Sequence, residues 1–499
     1  MPEHLRALVV VLLIGVITFS FAKKAISPII SGSRFNQWRN IWFIITLTVF
    51  LSHNFWVYIV VSSLFIAYAS KRELNKPALF FLLLFTTPPL VLSIPGFGVV
   101  NYLFEISHLR LLALVILLPA FLSLIKSRST LSFGRNWPDK LIMLYMVLSV
   151  LLQLRDTTLT DGLRQGFYAF TDIFLPYYVT SRALQKYEHI KHAISAFVIA
   201  SFIVAATGLF EFVKHWLLYD PISDVWGIHS AIGVYLGRAD SLRALASLGQ
   251  PIVMGYVIVV AIGFYLYLKS SIRSKNSQRL GLALLVLGLI APLSRGPWVG
   301  AGILLITFIA TGPNVIKRLT ILSMVALLAI PILSVTPGGK KIINLLPFIG
   351  NTEQSNIDYR DKLIDNSIII IKRYPWFGSV NYLETPEMQE MIQGQGIIDV
   401  VNTYIGISLS YGLIGLSLFI GFFMTVLLGI NQSRKKILNK TDELYLLGRS
   451  LAAILIAVLV IIFTVSSINA IPVIYWSVAG LGVAYTEIVK RIRITQKMG

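Results

Sequence analysis

Residues 401–430 read VNTYIGISLSYGLIGLSLFIGFFMTVLLGI, a stretch without one charged side chain. The run is continuously apolar and does not alternate, so it reads as a helix. Crossing the hydrocarbon core of a bilayer takes about 20 apolar residues in that conformation. Backbone amides left unpaired in lipid are too costly for anything except helices and closed barrels. Working outward, similar runs lie at 7–22, 41–69, 78–95, 109–125, 138–154, 167–181, 192–213, 251–268, 280–294, 297–311, 319–335, 447–468 and 471–488. The run 41–69 is too long for one upright helix, and Ser52-His53-Asn54 in its middle reads as a turn. The expected fold class is therefore all-α, a polytopic transmembrane helical bundle of about 13 to 15 spans.

Composition points the same way. Of 499 residues, 56% are hydrophobic and 13% charged, against roughly 25% charged in soluble proteins. Cysteine is absent, which excludes disulfides and thiol chemistry. The seven histidines contain no HxxxH or HExxH, so no metal and no cofactor are expected. A net charge of +20 raises nucleic acid as a partner. The bilayer is the better reading, because Lys and Arg cluster in short loops between apolar runs, the positive-inside pattern. Lys269, Arg273, Lys275 and Arg279 share one loop, Arg434, Lys435, Lys436 and Lys440 another, and Lys490, Arg491 and Arg493 follow the last run. If helices alternate, these fall on one side, assigned to the cytoplasm together with the C-terminus.

Two long loops, 214–250 and 336–400, then face the opposite side. The chain divides into N-terminal helices 1–240, helices with an arginine-bearing hairpin 241–335, the large loop 336–400, and C-terminal helices 401–499. Within the large loop, Leu363, Ile370, Ile371 and Tyr374 recur near helical spacing, so a helix is expected over Tyr359 to Tyr374, lying against the membrane or capping a cavity.

Charge at a membrane edge is costly, roughly 2.5–3.5 kcal/mol for an arginine at mid-helix on insertion scales, so such residues are functional candidates. Arg295 sits in the tight turn Leu293-Ser294-Arg295-Gly296-Pro297-Trp298 between two apolar runs. Arg243 precedes the run at 251, and Arg360 opens the expected loop helix. Converging, they would line a positive external pocket suited to a diphosphate, which guanidinium forks bind in bidentate fashion. Asp399 and Asn402 stand where the large loop enters the run 401–430. An acid there could serve as general base toward a hydroxyl, while Asn402 reads equally well as a helix cap. Glu211, near the external end of its run, and Trp298 complete the candidates for substrate binding.

These residues carry a resemblance to the O-antigen ligase/polymerase superfamily. Ser294-Arg295-Gly296-Pro297-Trp298 resembles the Ser-Arg-Gly hairpin of that family. Tyr374-Pro375-Trp376-Phe377-Gly378 resembles the Pro-x-x-Gly stretch of its large periplasmic loop, preceded by an arginine such as Arg360. Asn402-Thr403-Tyr404 through Gly412-Leu413-Ile414-Gly415 resembles its His-Asn, nine residues, Gly-x-x-Gly signature. Arg243 followed by Gln250-Pro251 resembles an earlier arginine element. Together the motifs cover roughly 240–430, in the family's order and on one side. The family's histidine is Val401 here, and Asp399 stands two residues earlier. Asp399-Val400-Val401-Asn402 resembles a variant of relatives linked to exopolysaccharide gene clusters, which argues for a divergent, polymerase-like member over a standard lipopolysaccharide ligase.

The resemblance implies a bacterial inner-membrane glycosyltransferase of surface polysaccharide biosynthesis, O-antigen or exopolysaccharide. It implies an undecaprenyl-diphosphate-linked oligosaccharide as donor, a periplasmic active site, and other polysaccharide-assembly membrane proteins as partners. Arg243, Arg295 and Arg360 would stabilise the departing diphosphate, and Asp399 would orient or deprotonate the acceptor. A flippase for the same lipid-linked glycan is the competing class, but no internal repeat with matching broken helices is visible. A non-catalytic assembly subunit is the third reading, favoured by the missing histidine.

Overall fold

The computed structural model of the chain describes all residues except 99, 128–129, 229–236, 239–240, 336–353, 394–395 and 499. Among the described residues, eight helices are long and apolar enough to cross a membrane: Glu3–Ile26, His108–Lys126, Trp137–Asp156, Tyr187–Lys214, Pro251–Ser271, Thr403–Lys435, Glu443–Ile461 and Ala470–Ile494. The protein is an all-α, multi-pass membrane protein. The remaining apolar runs form shorter or more polar helices, including Arg295–Ala310.

The long run 41–69 does break at Ser52-His53-Asn54. Helices Gly32–Leu51 and Phe55–Arg72 flank the turn. Asn54 starts the second helix by accepting a hydrogen bond from the Trp56 amide at 2.7 Å, one of the orphan donors of a helix N-terminus. The run 78–95 behaves differently from expectation. Its helix, Lys76–Leu83, lasts 8 residues, and Val91–Pro95 is a strand paired antiparallel with Tyr102–Ser107. Pro88 and Pro89 lie between the two. Proline lacks the amide proton a helix needs and pushes the preceding residue toward extended backbone. The short helix survives because protein surrounds it on all sides, with Phe81 and Phe85 packed edge-on against Phe197.

Prolines also mark two local widenings. Ala113–Leu117 and Ala169–Phe174 are π-helical turns, each followed within two residues by Pro119 or Pro176. A proline ring clashes with the carbonyl four residues earlier, and a wider turn accommodates it without ending the helix. Near the second, Arg182 and Asp139 form a fully buried ion pair. Tyr177 donates to the other Asp139 oxygen at 2.6 Å, and the Gly134 amide also reaches that carboxylate. With both Asp139 oxygens hydrogen-bonded, this buried pair is a closed structural unit and sits apart from the arginines of the site.

Two helices decide where the site lies. Thr403–Lys435, the kinked helix, is broken at Gly412, whose φ of 65° and ψ of −170° lie outside helical space. Glu443–Ile461, the penultimate helix, packs beside it and against Arg295–Ala310, the hairpin helix. Gly300 permits that last approach, because a Cβ there would run into Ile461. The three helices leave a groove between them.

Candidate active site

A cavity of about 1720 Å³ occupies this groove and is lined at one end by Arg238, Arg243, Arg295, Arg360 and Asp399. Three segments far apart in the chain supply these side chains.

The first is the approach to the hairpin. Gly237–Arg238 pairs with Ser241–Leu242 in a minimal antiparallel ribbon. Arg238 donates to the Leu293 carbonyl at 2.8 Å. Arg243 donates to the Pro292 carbonyl at 3.2 Å and the Ser294 hydroxyl at 3.0 Å. Both guanidiniums thus dock on the turn that presents Arg295. Trp298 straps the same turn by donating its indole N–H to the Leu289 carbonyl at 2.9 Å. Glu211 is fully buried beneath. Its carboxylate accepts the amides of Leu218 at 3.0 Å, Leu245 at 3.0 Å and Ala246 at 2.8 Å. Ala246 is held at a φ of 49°, a left-handed conformation alanine rarely adopts. Glu211 therefore fixes the segment just after Arg243.

The second segment is the large loop. Its helix, Gln354–Arg373, the loop helix, buries Leu363 and Ile370 against Met388, Met391 and Leu409 of the kinked helix. Of the residues expected on its apolar face, Tyr374 remains exposed and Ile371 packs at the edge of that cluster. The helix presents Tyr359 and Arg360 to the cavity. Burial holds the Arg360 guanidinium below its ordinary pKa, nearby Arg238 and Arg295 add to that, and Asp399 opposes it. Arg238, Arg295 and Asp399 therefore all lie within electrostatic reach of Arg360.

The third segment enters the kinked helix. The Tyr359 hydroxyl donates to the Asp399 carbonyl at 3.1 Å and accepts from its amide at 3.2 Å. Ser466, in the turn after the penultimate helix, donates to Oδ1 of Asp399 at 2.6 Å. Thr403 anchors the same turn, its amide reaching the Ile462 and Val465 carbonyls and its hydroxyl the Val465 carbonyl at 2.7 Å. Asn402 spends its side-chain oxygen capping the helix, accepting from Tyr404 at 2.9 Å and Ile405 at 3.2 Å. Val401 lines the cavity beside Tyr404.

Gly378 and Gly412, from the second and third segments, meet. The Leu413 amide donates to the Pro375 carbonyl at 2.8 Å, Ile414 to Trp376 at 3.2 Å, and Ser379 to Leu409 at 2.8 Å. The break in the kinked helix frees the backbone groups that the loop then satisfies. A Cβ on Gly412 would collide with the Trp376 carbonyl, and one on Gly378 with the Leu409 carbonyl. From the far side, Asp156 accepts the Val380 amide at 3.0 Å and Arg155 reaches the Gly378 carbonyl at 2.8 Å.

Of the residues picked out from sequence, Arg243, Arg295, Arg360 and Asp399 line one cavity. Asn402, Glu211 and Trp298 stand behind it as a cap, a clamp and a strap. Arg238, Tyr359 and Ser466 escaped notice. Arg238 stands two residues from Asp240 and reads as half of a solvated pair. Ser466 belongs to Thr464-Val465-Ser466-Ser467-Ile468-Asn469, a polar break between two apolar runs that could have flagged it. Among the described residues no three of His, Asp or Glu are grouped as a metal ion would require.

The family model described as O-Antigen ligase matches residues 280–420. Residues 280–420 are thus similar to that family. The match supports the O-antigen ligase/polymerase superfamily and, with eight candidate spans, a membrane ligase or polymerase role in glycan assembly. The matched region takes in the Arg295 hairpin, the loop helix, Asp399 and the Gly378–Gly412 contact. Arg238, Arg243 and Ser466 lie outside it and complete the same cavity. No curated protein matches this chain.

Proposed function

We propose that the protein is a polymerase-type glycosyltransferase that transfers an oligosaccharide from undecaprenyl diphosphate to a sugar hydroxyl at the periplasmic face of the inner membrane. The observation that carries this reading is the shape and charge of the cavity. Four arginines and one carboxylate stand at the mouth of a groove walled by Leu416, Ile420, Phe423, Met424, Leu459 and Phe463. A diphosphate on a polyprenyl chain has that distribution of charge and grease. The basic loops at the other end of the bundle favour a periplasmic mouth.

In the proposed reaction the acceptor oxygen bonds to the anomeric carbon as the bond from that carbon to the diphosphate oxygen breaks. The electron pair leaves with undecaprenyl diphosphate, where Arg238, Arg243, Arg295 and Arg360 take up the developing charge. The acceptor proton passes to the Asp399 carboxylate, oriented by Ser466 and Tyr359. An oxocarbenium-like transition state suits a carboxylate base, because the hydroxyl becomes acidic as its bond to carbon forms. Asp399 takes the part that the resemblance gives to a histidine, Val401 being apolar.

The test is incubation of the purified protein in nanodiscs with undecaprenyl-diphosphate oligosaccharide. Glycan ladders are expected from the wild type and none from Arg295→Ala protein that stays folded. Transfer to a second lipid in place of ladders would identify a ligase. No product, together with movement of the substrate across proteoliposomes, would overturn the enzyme reading in favour of a transporter.

A further inference from the structure

The groove has a second cationic end. Its lining continues along the kinked helix from Leu416 through Leu427 to Asn431 and Arg434, and it reaches Thr311 at the end of the hairpin helix. Leu416 to Arg434 spans about 27 Å at about 1.5 Å per residue, close to the roughly 30 Å hydrocarbon thickness of a bilayer.

At this end Arg434 donates to the Thr311 carbonyl at 3.1 Å and to Asn431 at 2.8 Å, and lies over the Tyr445 ring at 5.7 Å. Arg449 is only 4% exposed. It donates to the Phe308 carbonyl and stacks over the Phe308 ring at 4.1 Å. Its Nε–H is buried with no hydrogen-bond partner. Arg318 and Arg434 are both near enough to repel it. Among the described residues no carboxylate forms an ion pair with any of the three.

Capping accounts for part of this arrangement. Cations are favourable at a helix C-terminus, where the hairpin helix presents its last carbonyls. That use takes one N–H group from Arg434 and one from Arg449, and it sets about half a negative charge against three full positive ones. Arg449, Ala452, Ile456, Leu459 and Phe463 recur at helical spacing, and the last four line the groove. Arg449 is the next step of the same face and sits just behind the lining, its guanidinium against Gly312 beside Thr311.

We propose that this end of the groove is a binding site for an anionic phospholipid, its phosphate held by Arg434 and Arg449 and its acyl chains lying along the apolar wall. The Nε–H of Arg449 supplies the donor that now lacks an acceptor, and a phosphate oxygen is the acceptor that a guanidinium edge fits best. The lipid would enter from the leaflet opposite the Arg295 mouth and share the middle of the groove with whatever chain enters there. This inference does not depend on the glycosyl-transfer reading, because its readout is lipid retention.

The full-length protein is reconstituted in nanodiscs of equal phosphatidylglycerol and phosphatidylcholine, released, and weighed by native mass spectrometry. Phosphatidylglycerol should be retained preferentially. Replacing Arg434 and Arg449 by glutamine should lower that preference about fivefold per arginine, while Arg295→Ala should leave it unchanged. Equal retention of both lipids by the wild type, or undiminished preference in the double variant, overturns the proposal. If the double variant does not fold, the wild type decides the matter through its melting temperature. Phosphatidylglycerol should raise it, and glycerophosphoglycerol or inorganic phosphate at equal concentration should not. An equal rise with inorganic phosphate would mean a plain anion site and would also overturn it.

Discussion

Replacing Gly412 by alanine should detach the large loop from the kinked helix without unfolding the bundle. The backbone there has φ 65° and ψ −170°, a region essentially reserved for glycine, and holding another residue in it costs about 1–3 kcal/mol. The new methyl group would also meet the Trp376 carbonyl. Relief requires loss of the bonds from Leu413 to Pro375 and from Ile414 to Trp376, at 2.8 and 3.2 Å, each worth about 1 kcal/mol net. The docked state thus loses about 1–3 kcal/mol against the undocked one, comparable with what the two bonds contribute. The bundle core around Phe419, Phe422 and Trp476 is untouched by this change. Hydrogen exchange reads the outcome. Amides of the loop helix should exchange about ten- to hundredfold faster, while those of Glu443–Ile461 keep their protection. Gly378→Ala should do the same from the loop side, and the double variant should be scarcely worse than either, since both act on one contact. Unchanged protection of the loop helix in Gly412→Ala, or full additivity in the pair, would refute the reasoning.

Asp399→Asn keeps the bond from Ser466 but removes the base, so the initial rate of product formation should fall by about 10²–10⁴ with little change in melting temperature; a rate within tenfold of wild type would exclude Asp399 as base. Glu211→Ala strands three buried amides, each costing about 1–3 kcal/mol, and should lower the melting temperature sharply, with Glu211→Gln recovering part of the loss. Asn402→Ala should cost about 0.5–2 kcal/mol of stability as a lost cap, with activity per folded molecule close to wild type in the same product assay.

What the sequence discloses depends on how local the deciding physics is. The apolar runs are legible because a bilayer tolerates few backbone solutions, and even the turn at Ser52-His53-Asn54 shows through its polar residues. The run 78–95 misleads because hydropathy sums over Pro88 and Pro89 without weighing what they do to a helix. Arg243, Arg295 and Arg360 are legible as charges in an expensive place, and all three line the cavity. The role of Asn402 is decided by two amides within three residues of it, and the capping alternative was visible from the start. Glu211 is the opposite case, since its partners at 245 and 246 lie across a long loop. Ser466 and Arg238 touch the site only through tertiary contacts, and a serine between two membrane helices has many ordinary uses. The fit of Gly378 against Gly412 cannot be read from two glycines 34 positions apart, although both belong to motifs that carry the resemblance.

The dependence of Asp399 on Ser466, and of Thr403 on Ile462 and Val465, bears on how the molecule is made. A ribosome delivers Arg243, Arg295, Arg360 and Asp399 before it delivers the turn that orients the acid. Until residues 462–466 have emerged and folded back, the nascent chain holds its arginines beside a carboxylate with no donor to aim it. On the proposed reading, the site would be organised only once the turn at 462–466 closes on Asp399. A chain interrupted within Glu443–Ile461 would be a membrane protein with a cationic mouth and, on the proposed reading, no organised base, so it would bind the proposed donor without consuming it.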